Sequence, residues 1–582
     1  MPIFNFSSAI SKHIATWVGC SLFLAACSRL PNSDKDNGGL ILPDGFGAVV
    51  VVDSIGSARH FAVNDNGDIY VKRRTYKEDE GSLALRDVNG DGKADTIKKF
   101  GGYPSKGYGS TEMRIHNGYL YFSTDLVLYR QKLTPGKLIP EAAPEIVLTD
   151  DHAHGSHWHI TKPVAFDNKG NMYVPFGAPT NACQDLFNNT PGGTAGVPGQ
   201  DPCPELIQHG GIWKFDANKI GLTQKDGVRF ATGIRSVVGI AWNEEQNSLY
   251  LVQHGRDDLH LLWPDEYTPW KSAILPAEEL LKINEGDDFG WPYSYYDQTQ
   301  GKNVLAPEYG GDGKKDPRTK VALPAMGFPA HWAPNDILFY KGNQFPERYK
   351  HGAFIAFHGS TNRAPYPQAG YFICFVPFEN GKPNGQWEVF ANGFANADPI
   401  VNVSDAKYRP MGLSEGPDGS LYIIESEKGK IWRIMFKGDK QQYGKAQLNK
   451  MELEKNKSNL RTPDEINDNL YKEKVRPGAQ IYNFYCRSCH QGNGKGDENR
   501  FPPLAGSDWV TGDTKRLLNV ILNGLTGPLT MNEKSYNNIM PKHDFLKDED
   551  VVELVNFIRT HFGNNASNIN IQQVQAIRKA HK

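Results

Sequence analysis

The sequence predicts a mainly β protein that carries a small all-α domain at its C-terminal end. The 582 residues include 59 glycines and 37 prolines, and aromatic residues make up 11% of the chain. Turn-forming and aromatic residues that are abundant together are typical of many short strands. Apolar residues with helical spacing concentrate instead in the C-terminal region.

A recurring phrase predicts a six-bladed β-propeller over residues 41–436. In each copy a turn with Asn, Asp or Gly precedes alternating apolar residues, which is the pattern of a hairpin strand. The first copies lie about 50 residues apart, the period of a propeller blade. An array of β-sandwiches is the alternative, although it does not explain functional loops spread over the whole region. The turn positions of the six copies are Gly67, Gly118, Gly170, Asn247, Gly352 and Gly419.

Charge and hydropathy exclude several classes of protein. The 64 Lys and Arg against 66 Asp and Glu give a net charge of −2, which argues against a nucleic-acid partner because phosphate binding needs a basic face. The mean hydropathy is −0.53, and no internal apolar run is long enough for a membrane-spanning bundle. No G-x-G-x-x-G lies between a strand and a helix, which argues against a nicotinamide cofactor.

The first residues predict export and lipidation. Residues 1–26 have the pattern of a signal peptide, and Leu24-Ala25-Ala26-Cys27 resembles a bacterial lipobox with Cys27 as the lipidated residue. A polar tether over residues 27–40 follows. Ser28 after the cysteine resembles the outer-membrane sorting pattern. We therefore expect a periplasm-facing lipoprotein anchored in the outer membrane; an ordinary signal peptide with an incidental cysteine is the alternative.

Cys183 and Cys203 are expected to form a disulfide. They flank a loop rich in Gly, Pro and Asn, and an oxidising periplasm favours pairing. Two unpaired thiols are the alternative.

The stretch DVNGDGKAD predicts a structural calcium site. Its acidic and amide side chains fall at positions 1, 3, 5 and 9 of an EF-hand loop, and Gly92 falls at the sharp turn. Lys98 stands where an EF-hand has Glu, so the EF-hand is incomplete. An Asx-rich turn without an ion is the alternative. The predicted calcium ligands are Asp87, Asn89, Asp91 and Asp95.

The motif CRSCH at residues 486–490 predicts covalently attached haem. Cys486 and Cys489 are spaced to bond the two vinyl groups, and His490 is placed to ligate the iron. Zinc binding or a chance match is the alternative for a bare CxxCH.

Residues 475–565 resemble a class I cytochrome c in motif and order. The resemblance implies haem c with His490 as the proximal ligand and Met540, which precedes Pro541, as the distal ligand. Met531 is the weaker distal candidate because no proline follows it. We expect residues 437–474 to form a charged, solvated linker and residues 566–582 a C-terminal tail.

Loops of the propeller region resemble those of the soluble quinoprotein glucose, sorbosone and pyranose dehydrogenases. That family consists of six-bladed propellers that use pyrroloquinoline quinone (PQQ) with Ca²⁺. The resemblance covers roughly 380 residues, and the order of its motifs is more specific than any one of them. The motifs are HITKPVAF at 159–166, GIRSVVGIAW at 233–242, QHGRDD at 253–258, DFGWP at 288–292, HGSTNR at 358–363 and KYRP at 407–410.

The resemblance assigns roles to particular residues. His159 would be the catalytic base, and the backbone carbonyls of Gly255 and Arg256 would hold the catalytic calcium, which polarises the quinone. Basic side chains would bind the three carboxylates of PQQ by charge-assisted hydrogen bonds. The expected PQQ-binding residues are Arg235, Ser236, Arg363, Lys407 and Arg409.

Other interpretations of the same residues stay open. Arg235 and Arg409 are alternatively structural ion pairs between blades. A transition-metal site is the alternative for the crowded histidines of one loop. Ser236 stands where the family usually has Asn, and no Gln lies near residues 107–110, so glucose itself is a doubtful substrate. The crowded histidines are His152, His154, His157 and His159.

We therefore expect a quinohaemoprotein dehydrogenase that oxidises a sugar hydroxyl, hemiacetal or related aldehyde at PQQ. Its electrons would pass to its own haem c and on to a downstream periplasmic or membrane acceptor. A Ca²⁺-dependent lactonase-like hydrolase is one alternative. A non-catalytic sugar- or partner-binding propeller tethered to an electron-transfer haem is the other.

Overall fold

The structure, a computed structural model, describes most of the chain. The predicted signal peptide and Cys27 lie outside the described residues. Within them, no helix is long and apolar enough to cross a bilayer. The described residues are 30–74, 80–103, 111–152, 158–184, 192–364, 366–400, 403–465, 478–496, 501–531, 534–537, 540, 542–544 and 546–580.

Six antiparallel sheets form the blades of the propeller. β1 (Phe46–Val52) comes first in the chain. The first sheet contains β2 (Ala58–Val63), β3 (Ile69–Arg73), β4 (Ser82–Arg86) and β5 (Thr96–Phe100). The second contains β6 (Met113–His116), β7 (Tyr119–Ser123), β8 (Val127–Lys132) and β9 (Glu145–Thr149). The third contains β10 (Ala165–Phe166), β11 (Asn171–Phe176) and β12 (Gly211–Asp216); β13 (Leu222–Thr223) pairs with β9, and β14 (Val228–Thr232) completes the third sheet.

The remaining sheets follow in chain order. The fourth contains β15 (Val237–Asn243), β16 (Ser248–Gln253) and β17 (Glu278–Ile283); a hairpin of β18 (Ser294–Asp297) and β19 (Lys302–Leu305) precedes its last strand, β20 (Met326–Phe328). The fifth contains β21 (Pro334–Phe339), β22 (Gly352–Phe357), β23 (Phe372–Glu379), β24 (Lys382–Pro383) and β25 (Glu388–Ala391). The sixth contains β26 (Pro410–Glu415), β27 (Leu421–Glu425) and β28 (Ile431–Phe436).

The N-terminal strand closes the ring. β1 pairs antiparallel with β28 and so completes the sixth sheet. This closure covers a strand edge that would otherwise be open to pairing with other chains. The first strands of the sheets face the axis: β2 contacts β26 and β6, β15 contacts β10 and β21, and β21 contacts β26. The predicted six-bladed propeller is confirmed.

The repeated phrase marks the same place in every blade. Five of the six positions lie in the turn between the first and second strands, and Gly352 begins the second strand of the fifth sheet. Gly67 has φ +86°, and no atom lies within 4 Å of where its Cβ would be. The glycine is therefore needed for its backbone conformation and not for packing.

The segment before β1 is ordered against the sixth blade. A short 3-10 turn spans Asn37–Gly39, and the Asp34 carboxylate accepts a hydrogen bond from the Val50 amide at 2.8 Å. Leu40 is buried. The described part of the expected tether, from residue 30 onward, thus belongs to the propeller.

The helices lie mainly in the C-terminal domain. Two short ones follow β16, namely α1 (Leu259–Leu262) and α2 (Pro269–Ile274). α3 (Lys445–Glu454) follows the propeller. The C-terminal domain contains α4 (Gly478–Tyr485), α5 (Arg487–His490), α6 (Asp508–Thr511), α7 (Thr514–Asn523), the hairpin β29 (Leu529–Met531) and β30 (Lys534–Tyr536), α8 (Asp548–Thr560) and α9 (Ile571–Ala580).

The core of this domain forms where α4 crosses α8. A Cβ at Gly478 would lie 2.0 Å from the Glu553 carbonyl oxygen, so only glycine allows the two helices to approach this closely. Val551, Leu554 and Val555 of α8 are buried in this core, as the helical periodicity predicts. Beyond the expected helices, the domain contains the small β29–β30 hairpin.

Two expected unstructured segments are packed instead. Met451 of α3 and Leu460 are buried against the fifth blade, so the first part of the expected solvated linker is held on the propeller. Val574 and Ile577 of α9 are buried in the core of the C-terminal domain, so the expected tail is part of that domain. A few apolar side chains among many charged ones decide both outcomes, and overall composition does not reveal them.

Candidate active site and haem-attachment motif

One face of the propeller gathers most of the predicted PQQ-site residues. In an antiparallel hairpin, the start of the first strand and the end of the second strand lie at the same edge of the sheet. Five of the six sheets place basic or imidazole side chains at or beside these positions. We call this face the mouth and define it by Arg59, Arg74, His159, Arg235, His254, His331, His358, Arg363 and Arg409.

His159 is held as a neutral base. Its Nδ1 lies 2.6 Å from the Ala178 carbonyl oxygen, and a carbonyl only accepts, so Nδ1 carries the proton and Nε2 keeps its lone pair. Burial, followed by the charges of Arg235 and His254, holds the pKa of His159 well below its ordinary value. Among the described residues, no hydrogen bond involves Nε2. This nitrogen can therefore take a proton at neutral pH.

Arg235 lies beside this base and has partners on two loops. Its Nη1 donates to the Gly255 carbonyl at 2.7 Å, and its Nη2 donates to Asn181 Oδ1 at 3.0 Å and to Asp257 Oδ2 at 2.8 Å. Its Nε is buried without a hydrogen-bond partner in the described part of the chain. Arg235 therefore combines an ion pair with one donor still unused.

A disulfide joins Cys183 to Cys203 and anchors the loop that holds Arg235. Asn181, two residues before Cys183, is fully buried. Its side chain accepts from Arg235 and from the Asp257 amide, and it donates to the Asp257 carbonyl at 2.9 Å. The covalent link thus lies close to the amide that orients both charged groups.

Asp257 is the main anionic side chain of this part of the mouth. Burial by itself would raise its pKa, but the charges of Arg235 and His331, together with hydrogen bonds from Arg235 and Asn362, hold the pKa below its ordinary value. Asn362 also donates to its Oδ1. For the neighbouring Asp258, burial and the charge of Asp257 raise the pKa. One carboxylate is thus firmly ionised, and its neighbour resists ionisation.

Arg363 is buried with spare donors. Its Nη2 donates to the Arg461 carbonyl at 2.8 Å, whereas Nε and Nη1 have no hydrogen-bond partner among the residues described. Burial, together with the charge of Arg461, lowers the pKa of Arg363 to about 10. A buried guanidinium with unused donors is costly unless an anion or a polar ligand meets it.

Arg409 and His358 form a hydrogen-bonded pair in which only the arginine is charged. Arg409 Nη2 donates to His358 Nδ1 at 2.9 Å and to the Gly359 carbonyl at 2.6 Å. His358 is therefore neutral, with its Nε2 proton directed at Ser426 Oγ, 2.8 Å away. Burial, then Arg409, Arg59 and Arg74, holds the pKa of His358 well below its ordinary value. Glu427 lies 3.6 Å from Arg409 and offsets part of the charge.

Arg59 adds to the same cationic group. Burial, then the charges of Arg74 and Arg409, lowers its pKa to about 9. Nearby, burial lowers the pKa of Lys72 to about 7. These basic groups repel one another, and such repulsion in a partly desolvated cleft favours binding of an anion.

The mouth fits a ligand with several carboxylates. Arg59, Arg363 and Arg409 provide cationic donors, and the donors of Arg363 are only partly used. Guanidinium groups bind carboxylates through two parallel hydrogen bonds. PQQ carries three carboxylates, so the residues present suit it.

The mouth gives less support for the catalytic calcium. The Gly255 carbonyl, one expected ligand, accepts from the Arg235 guanidinium, and a calcium ion there would have to displace a cation. No group of three His, Cys, Asp or Glu placed to hold a metal ion occurs in the described ranges. A calcium held by Gly255 and Arg256 therefore stays a prediction.

Lys407, an expected PQQ-binding residue, lies apart from the clustered cations. It is exposed, with its ammonium 5.2 Å from the centre of the Tyr408 ring. The pKa of Asp53, outside the mouth, is lowered chiefly by a hydrogen bond with Lys430, and the charge of Lys407 also contributes. Ser236, another expected residue, is buried next to Arg235, and its carbonyl accepts from the His254 amide at 3.1 Å. The motif KYRP therefore supplies one mouth residue, Arg409, and one surface residue.

The crowded histidines do not converge where the structure describes them. His152 Nδ1 lies 3.1 Å from Asp150 Oδ1, whereas His159 is bonded to Ala178. His154 and His157 lie outside the described residues.

The stretch DVNGDGKAD forms a loop stabilised by its own amides. Asp87 accepts from the Gly90 and Gly92 amides at 2.7 and 2.8 Å. Asp95 accepts from the Val88 amide at 2.7 Å, and Asn89 and Asp91 each accept from an amide two residues on. These bonds are those of Asx turns. They account for the conformation without an ion, and the calcium stays a prediction.

In the CRSCH motif, a hydrogen bond orients His490 as a haem ligand. His490 is buried, and its Nδ1 donates to the Pro502 carbonyl at 2.9 Å. This bond fixes the ring and leaves Nε2 for the iron. Cys486 and Cys489 are unbonded to other cysteines. The residues therefore suit covalent haem c.

The two methionine candidates differ in their surroundings. Met531 is buried, and its Sδ accepts from Ser507 Oγ at 3.2 Å. Met540 packs on the core of the C-terminal domain, and its backbone pairs with Leu525. The thioether of Met531 is thus already used, which favours Met540 as the distal ligand.

Fold and sites together define a six-bladed propeller with a cationic mouth, joined to a domain with a haem c attachment motif. The TrAA12-like family matches residues 40–437, and the cytochrome c family matches residues 475–562. The chain belongs to the TrAA12-like family and carries a C-terminal cytochrome c domain. The resemblance to quinoprotein sugar dehydrogenases is confirmed, and with it the expectation of an oxidoreductase.

Solved structures share the propeller fold. A calcium structure of the family AA12 enzyme of Trichoderma reesei has a TM-score of 0.53 at 18% identity, and the match covers 69% of this chain and 97% of that one. The holo PQQ domain of pyranose dehydrogenase from Coprinopsis cinerea has a TM-score of 0.51 at 16% identity, with coverage of 70% and 98%.

Curated relatives match parts of the chain. Cytochrome c-552 of Thermus thermophilus is 39% identical over 90 residues, which are 15% of this chain and 68% of that protein. An uncharacterised protein of Borreliella burgdorferi is 30% identical over 220 residues, which are 37% of this chain and 51% of that protein. The chain thus spans only about half the length of the latter relative.

Sequence motifs had not singled out several residues of the mouth. Arg59 and Arg74 flank the first repeated turn, where no motif drew attention to them. Asn181, which orients Arg235 beside the mouth, lies in a loop of irregular sequence. The position itself was the available signal, because each lies near the start of a first strand or the end of a second strand.

Proposed function

We propose that the protein is a quinohaemoprotein dehydrogenase that oxidises a sugar hydroxyl, hemiacetal or related aldehyde at PQQ bound in the mouth. The electrons pass to its own haem c. The observation that carries the proposal is the meeting of a neutral, oriented imidazole with several buried guanidinium groups at one end of the propeller. A neutral sugar would not need these cations, whereas an acidic redox cofactor would.

Different residues of the mouth have different roles in the reaction. When bound, PQQ supplies a carbonyl carbon that accepts a hydride. Arg363, Arg409 and Arg59 would bind its carboxylates, and the unused Nε of Arg235 would donate a hydrogen bond beside the reacting atoms. His159 Nε2 takes the proton of the substrate hydroxyl, because Nδ1 is fixed on Ala178.

The oxidation balances over the two domains. Converting one C–OH group to C=O releases two electrons and two protons. A haem held by Cys486, Cys489 and His490 would take one electron at a time, so each turnover would need two transfers. A one-electron acceptor outside the chain must reoxidise the iron after each transfer, and two acceptor molecules are consumed per substrate.

Reconstitution of purified protein tests the proposal. The haem-loaded protein receives PQQ, with and without Ca²⁺, and its haem absorbance is followed while aldoses, ketoses and aldehydes are added. We expect reduction of the haem only when both PQQ and an oxidisable sugar are present. The arm without Ca²⁺ shows whether the ion is required.

Three results would contradict the proposal. If dithionite reduces the haem but no sugar does so in the presence of PQQ, the protein is not a sugar dehydrogenase of this kind. Lactone hydrolysis without haem reduction would instead support the hydrolase alternative. Sugar binding without either reaction would support the non-catalytic alternative.

A further inference from the structure

The C-terminal domain contacts the propeller through the haem-attachment motif itself. Arg487, which lies between Cys486 and Cys489, donates from Nη2 to Asp405 Oδ1 at 3.1 Å. Asp405 ends a 3-10 turn, Val403–Asp405, in the loop that leads to Arg409 of the mouth. The ion pair therefore joins the haem motif to the rim of the mouth.

The C-terminal domain also comes near another blade. His260 of α1, whose Nδ1 donates to the Tyr267 carbonyl at 2.6 Å, follows the mouth segment that contains His254 and Asp257. Burial lowers its pKa, and the charges of Lys542 and Asp544 lie close enough to affect it. These two residues lie two and four positions after Met540, so the loop that carries this predicted iron ligand approaches the propeller.

The chain that leads from the propeller to the C-terminal domain is hydrogen-bonded to the same rim. Asn459 exchanges two hydrogen bonds with Gly370, at 2.7 and 2.9 Å. The Arg461 carbonyl accepts from Arg363 at 2.8 Å, and the Pro463 carbonyl accepts from Trp270 Nε1 at 2.9 Å. Residues 458–465 are therefore fixed at the edge of the mouth, and the connection to the haem domain begins there.

Because the connection between the two domains is short, even a weak ion pair can hold them together. Residues 466–477, which lie outside the described ranges, can span at most about 40 Å even when fully extended. A short linker gives an effective concentration on the order of millimolar. The side chains of Arg487 and Asp405 are 32% and 20% exposed, and an exposed pair of this kind favours docking by only a few-fold.

We infer that Arg487 and Asp405 dock the haem-attachment motif on the rim of the mouth, so that the haem receives electrons through the face of its domain that carries Cys486 and Cys489. The inference rests on the proposed function. Arg487 and Asp405 are positioning residues, because their ion pair sets how closely the two redox groups approach.

Two rates measured on the reconstituted full-length protein test the inference. One is the sugar-driven reduction of a soluble dye that takes electrons at the mouth; the other is the stopped-flow rate of haem reduction. For Asp405→Asn we expect an unchanged dye rate and haem reduction that is slower by about two- to fivefold at low salt. Raising the ionic strength should slow the wild type towards the variant, because salt screens the pair.

Two further variants exclude other causes. Asp405→Arg should slow haem reduction more than Asp405→Asn, and combining it with Arg487→Asp should restore most of the rate. Arg516→Gln is the control, because Arg516 is about as exposed as Arg487 and forms an ion pair 3.0 Å long with Asp508, a more exposed partner inside the same domain. It should behave as wild type. Equal rates of haem reduction in wild type, Asp405→Asn and Asp405→Arg would overturn the inference.

Hydrogen exchange separates failure of the inference from failure of the proposed function. If no sugar reduces the wild-type haem, the proposed function fails, and docking is then measured directly on the haem-loaded protein. We expect faster amide exchange around residues 403–408 in Asp405→Arg than in wild type or Arg516→Gln. Equal exchange in all three would show that the motif does not dock there.

Discussion

The haem-attachment motif lies on five consecutive residues, whereas the mouth takes its side chains from loops of five sheets separated by hundreds of residues. Cys486, Cys489 and His490 are brought together by one turn of helix. His159 and Arg409 belong to the same face only because the propeller ring closes. A local motif therefore identifies its chemistry from sequence, and a site assembled by topology needs the fold.

The comparison predicts that the haem site and the mouth can each be lost without the other. We expect the largest effect when haem attachment is removed. The double variant Cys486→Ser/Cys489→Ser should lose essentially all covalently attached haem, because both thioether bonds are gone. Sugar oxidation measured with a soluble dye should persist. Covalent haem is measured on the denatured protein. Loss of dye-linked activity together with the haem would show that the mouth depends on the C-terminal domain.

The reverse experiment removes the base. His159→Ala should lower turnover about 10²–10⁴-fold, while PQQ binding and the haem spectrum stay unchanged. His351→Ala, at an exposed histidine that faces Glu245 and Glu347, is the control and should keep full activity. Unchanged turnover in His159→Ala would remove this residue from the base role.

The same residue sets the pH dependence. The neutral form of His159 is the active one, and its pKa lies well below the ordinary value near 6.5 because of burial and nearby cations. Turnover should therefore stay constant as the pH falls through 6.5 and should decline only in more acidic solution. An acid limb centred at or above pH 6.5 in kcat/KM would contradict this environment.

The smallest expected effect is on PQQ affinity, and it distinguishes a buried residue of the mouth from an exposed one. Arg363→Gln should raise the Kd of PQQ about 10- to 100-fold, the size of one lost charge-assisted interaction. Lys407→Gln removes the same charge from an exposed side chain and should leave the Kd unchanged. PQQ binding is titrated by absorbance or calorimetry. Equal losses in both variants would show that Lys407 reaches the cofactor after all.

The sequence motifs were most informative where one residue type follows from backbone position. The repeated turns were visible because a tight hairpin requires glycine or asparagine, and they lie at equivalent places in the blades. KYRP could not be resolved into its two roles from spacing, because Lys407 and Arg409 are two residues apart and strict alternation would put both on one face. They precede β26 in a loop that this alternation does not govern, and there Arg409 lies in the mouth while Lys407 is exposed.

Charge matching could not be foreseen from the motifs. Arg235 was expected either to bind cofactor or to form an ion pair; it forms the pair with Asp257 and keeps Nε unused. Arg363 has no carboxylate partner among the described residues. The difference depends on which loops the ring brings opposite each arginine.

The amino-acid sequence by itself determined the six hairpin repeats, the haem-attachment motif and the identity of the imidazole before β10, because each depends on residues close together in the chain. Only the tertiary structure decided which cations share the mouth, that residues 445–465 and 571–580 pack, and that Arg487 meets Asp405. Those outcomes depend on burial and on charges from distant segments, and both are set only when the ring of sheets is closed.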